Sequence, residues 1–233
     1  MKVFIALLIV LISLNFTFAE NKHSLDTEFQ KTIDRGLPAR DIIQAISYYT
    51  ERWEKELDSS YGRIMDKTPG EAKYYLRDSQ DKWETFRELE RKFISRIYAQ
   101  KQGTIYAIAE SSGVLELARK RALAISDYYA VISSDSPKRY LITTNETFNP
   151  DQYLNQAYRK LRTLLDKDSR NILLNSQRAW LAHRNLEFQF LDVIAKIKHE
   201  KFTAELVNKL KSEFVERRTA VLNTYIFDIL EED

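Results

Sequence analysis

Three histidines, His23, His183 and His199, are the first side chains to weigh for chemistry in this chain. No two of them stand in the H-E-x-x-H spacing that lets two imidazoles on one helical face hold a zinc ion. His183 has Glu187 four residues on, so the two share a face, but a third ligand is missing and Arg184 competes for the carboxylate. There is no G-x-S-x-G elbow, P-loop or dinucleotide fingerprint. Cysteine is absent, which excludes a thiolate nucleophile, a disulfide, a cysteine-metal site and a lipidated N-terminal cysteine. The 34 carboxylates are no signal without geometry, because surface Asp and Glu are the rule on helices. The chain is therefore expected to carry no catalytic, cofactor-binding or metal-binding residues.

Charge narrows the partners. Lys and Arg number 36 against 34 Asp and Glu, a formal +2, where phosphate binding wants a strong basic excess or a basic stripe. Nucleic acid is not an expected partner. Only five Gly and four Pro among 233 residues argue against a loop-rich β domain, and 44% apolar residues suffice for a real core. An all-α chain is expected.

A phrase that occurs twice carries most of the information. Sliding the sequence by 97 positions lays Leu76, Ser79, Gln80, Trp83, Arg87, Leu89, Glu90 and Phe93 onto Leu173, Ser176, Gln177, Trp180, Arg184, Leu186, Glu187 and Phe190. Leu57 and Tyr61 fall on Leu154 and Tyr158, and Glu116, Arg121 and Tyr128 on Glu213, Arg218 and Tyr225. Identities number 16 over residues 57–128 against 154–225 without a gap, where unrelated sequence would give about 5. The chain is a tandem duplication.

On a helix, Gln80, Trp83, Arg87 and Glu90 follow at three- and four-residue steps and share one face, as do Gln177, Trp180, Arg184 and Glu187. The indole is expected to anchor the core. Charges on the same stripe are costly to bury unless paired, so Arg87–Glu90 and Arg184–Glu187 are expected as internal ion pairs, with Tyr61 and Tyr158 from the preceding helix as hydroxyl partners. The alternative is a polar stripe that lines a ligand groove. His183 replaces Phe86 of the first copy, which favours packing. Arg119-Lys120-Arg121 and Arg217-Arg218 are expected on solvated faces.

These stripes need long helices. The pattern predicts three per repeat, at about 40–66, 69–101 and 104–131, then 150–165, 169–199 and 203–230, with one short extra helix over 24–36. Thr68-Pro69-Gly70-Glu71 reads as a cap, an N1 proline and a capping-box acid, and Asn149-Pro150 as a second cap with its N1 proline. Gly36 is expected to end the short helix. The expected organisation is a signal peptide at 1–19, a first helical unit at 20–131, a linker at 132–149 and a second unit at 150–233. The two three-helix units together form a helical bundle. Asn145-Glu146-Thr147 is read as polar linker.

The start of the chain reads as an address. Met1-Lys2 is positive, residues 3–14 are almost unbroken apolar, and Thr17-Phe18-Ala19 offers small residues before Glu20. The apolar stretch is short of the ~20 residues that a membrane span needs. Cleavage there removes one Lys and leaves a near-neutral exported chain with no stable membrane anchor, periplasmic or secreted.

Leu154-Asn155-x-x-Tyr158-x-x-Leu161, the phrase from Ser176 to Glu187 and Arg218-Thr219-x-x-Leu222 resemble the signature of the LprI-like family, exported bacterial domains named after a lysozyme inhibitor. The first repeat is a degenerate copy. The family pattern places a cysteine after the glutamate, where this chain has Arg91 and Phe188; Phe188 can stand in by apolar packing, whereas Arg91 cannot. The resemblance implies an exported helical protein that binds a protein partner, with lysozyme as the partner the family's name implies. An inhibitor of a basic lysozyme wants acidic complementarity, for which Asp166 with Asp168 and Glu231-Glu232-Asp233 are the candidates. A cell-envelope scaffold or assembly module that binds another protein without inhibiting lysozyme is the alternative, and a carboxylate-based hydrolase is a third reading.

Overall fold

The computed structural model describes residues 23–99, 101–133, 149–198 and 203–230, and among these residues the protein is all-α, with no strand. The elements are α1 (Ser24–Ile33), α2 (Ala39–Lys67), α3 (Gly70–Tyr98), α4 (Thr104–Ser133), α5 (Pro150–Leu164), α6 (Lys167–Ile197) and α7 (Ala204–Leu230). The periodicity thus placed every described helix to within a few residues. Residues 1–19, Asn145-Glu146-Thr147, His199, Glu231-Glu232-Asp233 and most of the expected linker lie outside the described residues. None of the described helices is long and apolar enough to cross a membrane.

Local chemistry sets where the helices start and stop. Asn149 is extended and its side chain accepts from the Gln152 N–H at 3.2 Å, with Pro150 next to it as the first helical residue. Asp166 caps α6 in the same way, accepting from Ser169 N at 2.8 Å and Ser169 Oγ at 3.0 Å. Gly36, at φ +71°, takes the left-handed conformation that the end of α1 requires. Thr68 is a correction. It does not cap α3; its backbone N–H and its hydroxyl both return to the Ile64 carbonyl at 2.8 Å, so it closes α2 instead. The buried Thr68 thereby supplies donors to an end rather than an acceptor to a beginning.

The chain divides into two compact units, residues 1–62 with 94–126, and residues 63–93 with 127–233. The sequence repeats and the compact units are drawn differently, since residues 63–93 of the first repeat belong to the second unit.

In the first unit Trp53 is 1% exposed, with the His23 ring at 4.6 Å and the Arg119 guanidinium 5.8 Å from its centre. Arg119 grips Asp26 with two nitrogens, at 2.7 and 2.9 Å, and also reaches Glu116. The expected solvated face at Arg119-Lys120-Arg121 is therefore corrected: Arg119 is paired and mostly buried and Arg121 is 3% exposed. Gly113 sits inside α4 because a Cβ there would meet Ile94 Cγ2 of α3 at 3.3 Å.

In the second unit α5 and α6 pack on α7. Leu76, Leu161, Leu173, Phe190 and Leu222 have no exposed surface. Trp180 is 4% exposed and stacks on Phe214 at 5.7 Å. Truncating Trp180 to Ala should cost ~3–5 kcal/mol and lower the thermal midpoint by roughly 6–20 °C at the usual few degrees per kcal/mol for this size. A calorimetric melt of the variant checks it, and a near-wild-type midpoint would move Trp180 out of the core.

Candidate functional site

Glu90 is the centre of the polar stripe, and it has no exposed surface. One carboxylate oxygen accepts from Arg218 Nη1 at 2.5 Å and from the Tyr225 hydroxyl at 2.8 Å. The other accepts from Arg218 Nη2 at 3.1 Å and from the Ser176 hydroxyl. Arg218 spends its remaining Nε on Gln177 Oε1 at 3.1 Å, and its guanidinium lies over the Phe86 ring at 5.2 Å. This is a two-pronged arginine–carboxylate pair with every remaining lone pair claimed, the condition under which a buried ion pair is tolerable.

The expected ion pairs are corrected. Glu90 pairs with Arg218 of α7, not with Arg87 on its own helix. Arg87 is partly exposed, lies 5.1 Å over the Trp83 ring and stands 3.7 Å from Glu88. Arg184 likewise roofs Trp180 at 5.5 Å and pairs with the exposed Asp151 at 3.0 Å, while Glu187 accepts from the Ser79 hydroxyl. The physical reason is geometric. Both W-x-x-x-R steps place a cation over an indole one turn away, and that directs the arginine outward while the glutamate points in. The expectation for Tyr158 is corrected too: the phenol on Glu90 is that of Tyr225, and Tyr158 is half-buried beneath Arg162 at 5.8 Å. Tyr61 is half-buried. Of the repeated residues, Gln80, Trp83, Glu90, Gln177, Trp180 and Glu187 are buried, and Arg87 and Arg184 are at the rim.

The residues that complete the site, Ser79, Ser176, Arg218 and Tyr225, all stood among the identities at offset 97. That recurrence was the signal that could have found them. The expected solvated face at Arg217-Arg218 is corrected in half: Arg217 is partly exposed and 3.4 Å from Glu213, whereas Arg218 is enclosed.

Ser79, His183 and Glu187 come together and have the composition of a hydrolytic triad. Their geometry does other work. His183 Nδ1 is 3.1 Å from the Ser79 carbonyl oxygen, which can only accept, so Nδ1 carries the proton. The Ser79 hydroxyl then donates to Glu187, and the imidazole 3.2 Å from its oxygen faces it with a proton rather than a lone pair, so His183 does not act as its base. Ser79 and Glu187 have no exposed surface and His183 has 3%, so a substrate has no approach. His183 packs against Phe214 at 5.3 Å, the packing role its exchange with Phe86 suggested. Among the described residues no cluster of His, Asp and Glu could hold a metal ion. An open depression of the first unit is lined by His23, Ser24, Leu25, Arg52, Lys55 and Glu56, and its Arg52 is engaged by Glu28.

One carboxylate is held well away from its ordinary protonation range. Burial pushes Asp127 up to about 6, Arg217 opposes the shift and Glu213 adds to it. Glu213 is itself raised, by burial first and against the pull of Arg217 and Lys209.

On the side where the family pattern has a cysteine, Phe188 meets Phe214 edge-on at 5.9 Å, while Arg91 is exposed and 3.8 Å from Glu88.

Residues 38–124 and 142–222 each match the family described as "Lysozyme inhibitor LprI". No match is found among curated proteins. Among solved structures the chain is similar to an uncharacterized protein from Burkholderia thailandensis, with a TM-score of 0.68 and 22% identity over 88% of this chain and 98% of that one. At that identity the likeness concerns the fold.

Two outcomes are expected. Glu90→Gln or Arg218→Ala leaves a buried charge without its partner and should cost ~3–5 kcal/mol in denaturant unfolding, whereas Glu88→Gln at the exposed rim should cost little. Asp127, raised in the folded protein, contributes stability that is complete below its ordinary pKa and lost as pH rises through about 6. Asp127→Asn should therefore match the wild type near pH 3.5 and exceed it at pH 7.5 by on the order of 3 kcal/mol. Equal stability differences at both pH values would refute the shift.

Proposed function

The chain belongs to the lysozyme inhibitor LprI family, and we propose on that basis that it is an exported helical protein that binds a protein partner and inhibits lysozyme. The observation that carries the reading is that the family match recurs over both halves of the chain. The apolar stretch over residues 3–14 with its small residues before Glu20 supports export to the periplasm or beyond. The burial of Ser79, His183 and Glu187, the trio that has a hydrolytic composition, supports binding rather than turnover. Of the acidic residues considered for a basic lysozyme, Asp166 spends its carboxylate on the α6 cap, and Asp168 is exposed in the first turn.

A second reading is a cell-envelope scaffold that binds another protein without inhibition. Tyr74 and Tyr153, 61% and 48% exposed, favour it, because amphipathic rings left in solvent are common at protein interfaces.

The two are separated by titrating purified residues 20–233 into a lysozyme turnover assay on cell-wall substrate, with heat-denatured protein as control. Inhibition at micromolar concentration or below is expected. A folded helical protein without effect at large excess over lysozyme would overturn inhibition and leave the scaffold reading.

A further inference from the structure

Contacts between the two repeats inside the second compact unit include two exchanged pairs. Ser176 donates to Glu90, and Ser79 donates to Glu187. Adding 97 to Ser79 and Glu90 gives Ser176 and Glu187, so each contact is the image of the other. The aromatic contacts obey the same rule: Phe93 meets Tyr225 at 5.5 Å, and Phe190 meets Tyr128 at 5.7 Å. α3 and α6 run antiparallel here, since Ser79 faces Glu187 and Glu90 faces Ser176. A contact from i to j accompanied by one from the image of j to the image of i is the signature of an isologous, two-fold interface, the kind that joins identical subunits in a dimer.

We infer that the second compact unit is such a dimer interface carried within one chain, and that its two halves are mutually obligate. The second repeat brings Ser176, Gln177, Arg218 and Tyr225 to a carboxylate it does not own, and Glu187 takes a hydroxyl from a serine it does not own. Separated, the second repeat keeps Arg218 and Glu187 as groups placed for burial and lacking these partners, which no apolar gain within one repeat offsets. The covalent link between repeats is then needed for effective concentration, not for the architecture. The occupant of the surface that the second repeat buries is the first repeat of the same chain, so a molecule cut between repeats remains one particle.

The test uses the full chain with a protease recognition sequence placed within residues 134–148 and cut after purification. Both pieces are expected to co-elute at the size of the uncut protein, and to separate only in denaturant. The thermal midpoint of the cut protein should rise with its concentration, while that of the uncut protein should not. Ser176→Ala, which removes one donor and no charge, should raise the dissociation constant of the two pieces at least severalfold, and Glu88→Gln should leave it unchanged. Pieces that part on a native column while each stays helical would overturn the inference, as would a concentration-independent midpoint in the cut protein.

Discussion

A carboxylate with no exposed surface sits at the middle of a helical core, and the packing around it has to answer for that. Glu90 accepts four hydrogen bonds, two from one guanidinium and one each from a serine and a tyrosine. None of the donors comes from its own helix. The register of α3 against both α6 and α7 is thereby specified to within a residue, because a slip of one position would strand a charge in an apolar interior. Apolar side chains supply the bulk of the driving force, but they tolerate sliding and exchange far better than this pair does. The polar cluster therefore decides which of many possible helix packings is adopted.

The duplicated phrase makes sense in this light as two devices laid on one helix. Trp83 and Arg87, like Trp180 and Arg184, form an indole with a cationic roof at the rim of the core. Glu90 and Glu187, three residues further, turn inward and recruit hydroxyls from the other repeat. A cysteine-free member of a family patterned with cysteine has to hold its helices by other means. Phe188 against Phe214 provides apolar contact where the family pattern has its cysteine, and Arg91 on the surface does not. Joining both repeats in one chain enlarges the core that each can share.

Burial also takes one trio of catalytic composition out of reach of a substrate. The serine, histidine and glutamate that gather at one place are sealed, and their proton positions run the wrong way for a nucleophile. What remains available to a partner is the outer surface of the helices, including Tyr74 and Tyr153. That surface is near balance in charge, which makes shape and aromatic contact as relevant as electrostatic attraction for whatever the protein binds.

By itself the sequence determined that the chain is helical, where nearly every helix begins and ends, that it is duplicated, and to which family it is similar. These are properties of spacing and local chemistry: apolar residues at three- and four-residue steps, Asn149 before Pro150, sixteen identities at one offset. The inward glutamates and the anchoring tryptophans were likewise legible as residues that matter, whereas Arg121, expected on a solvated face, was not, although it recurs at the same offset. Which partner each one takes was not. Arg87 lies three residues from Glu90 and is the obvious match along the helix, yet the tertiary structure gives Glu90 an arginine 128 positions away. The choice depends on which way a side chain leaves its helix and on what another helix presents there. Local spacing holds no record of that, because the energy that decides it, the cost of an unpaired buried charge, exists only once the helices have closed around it.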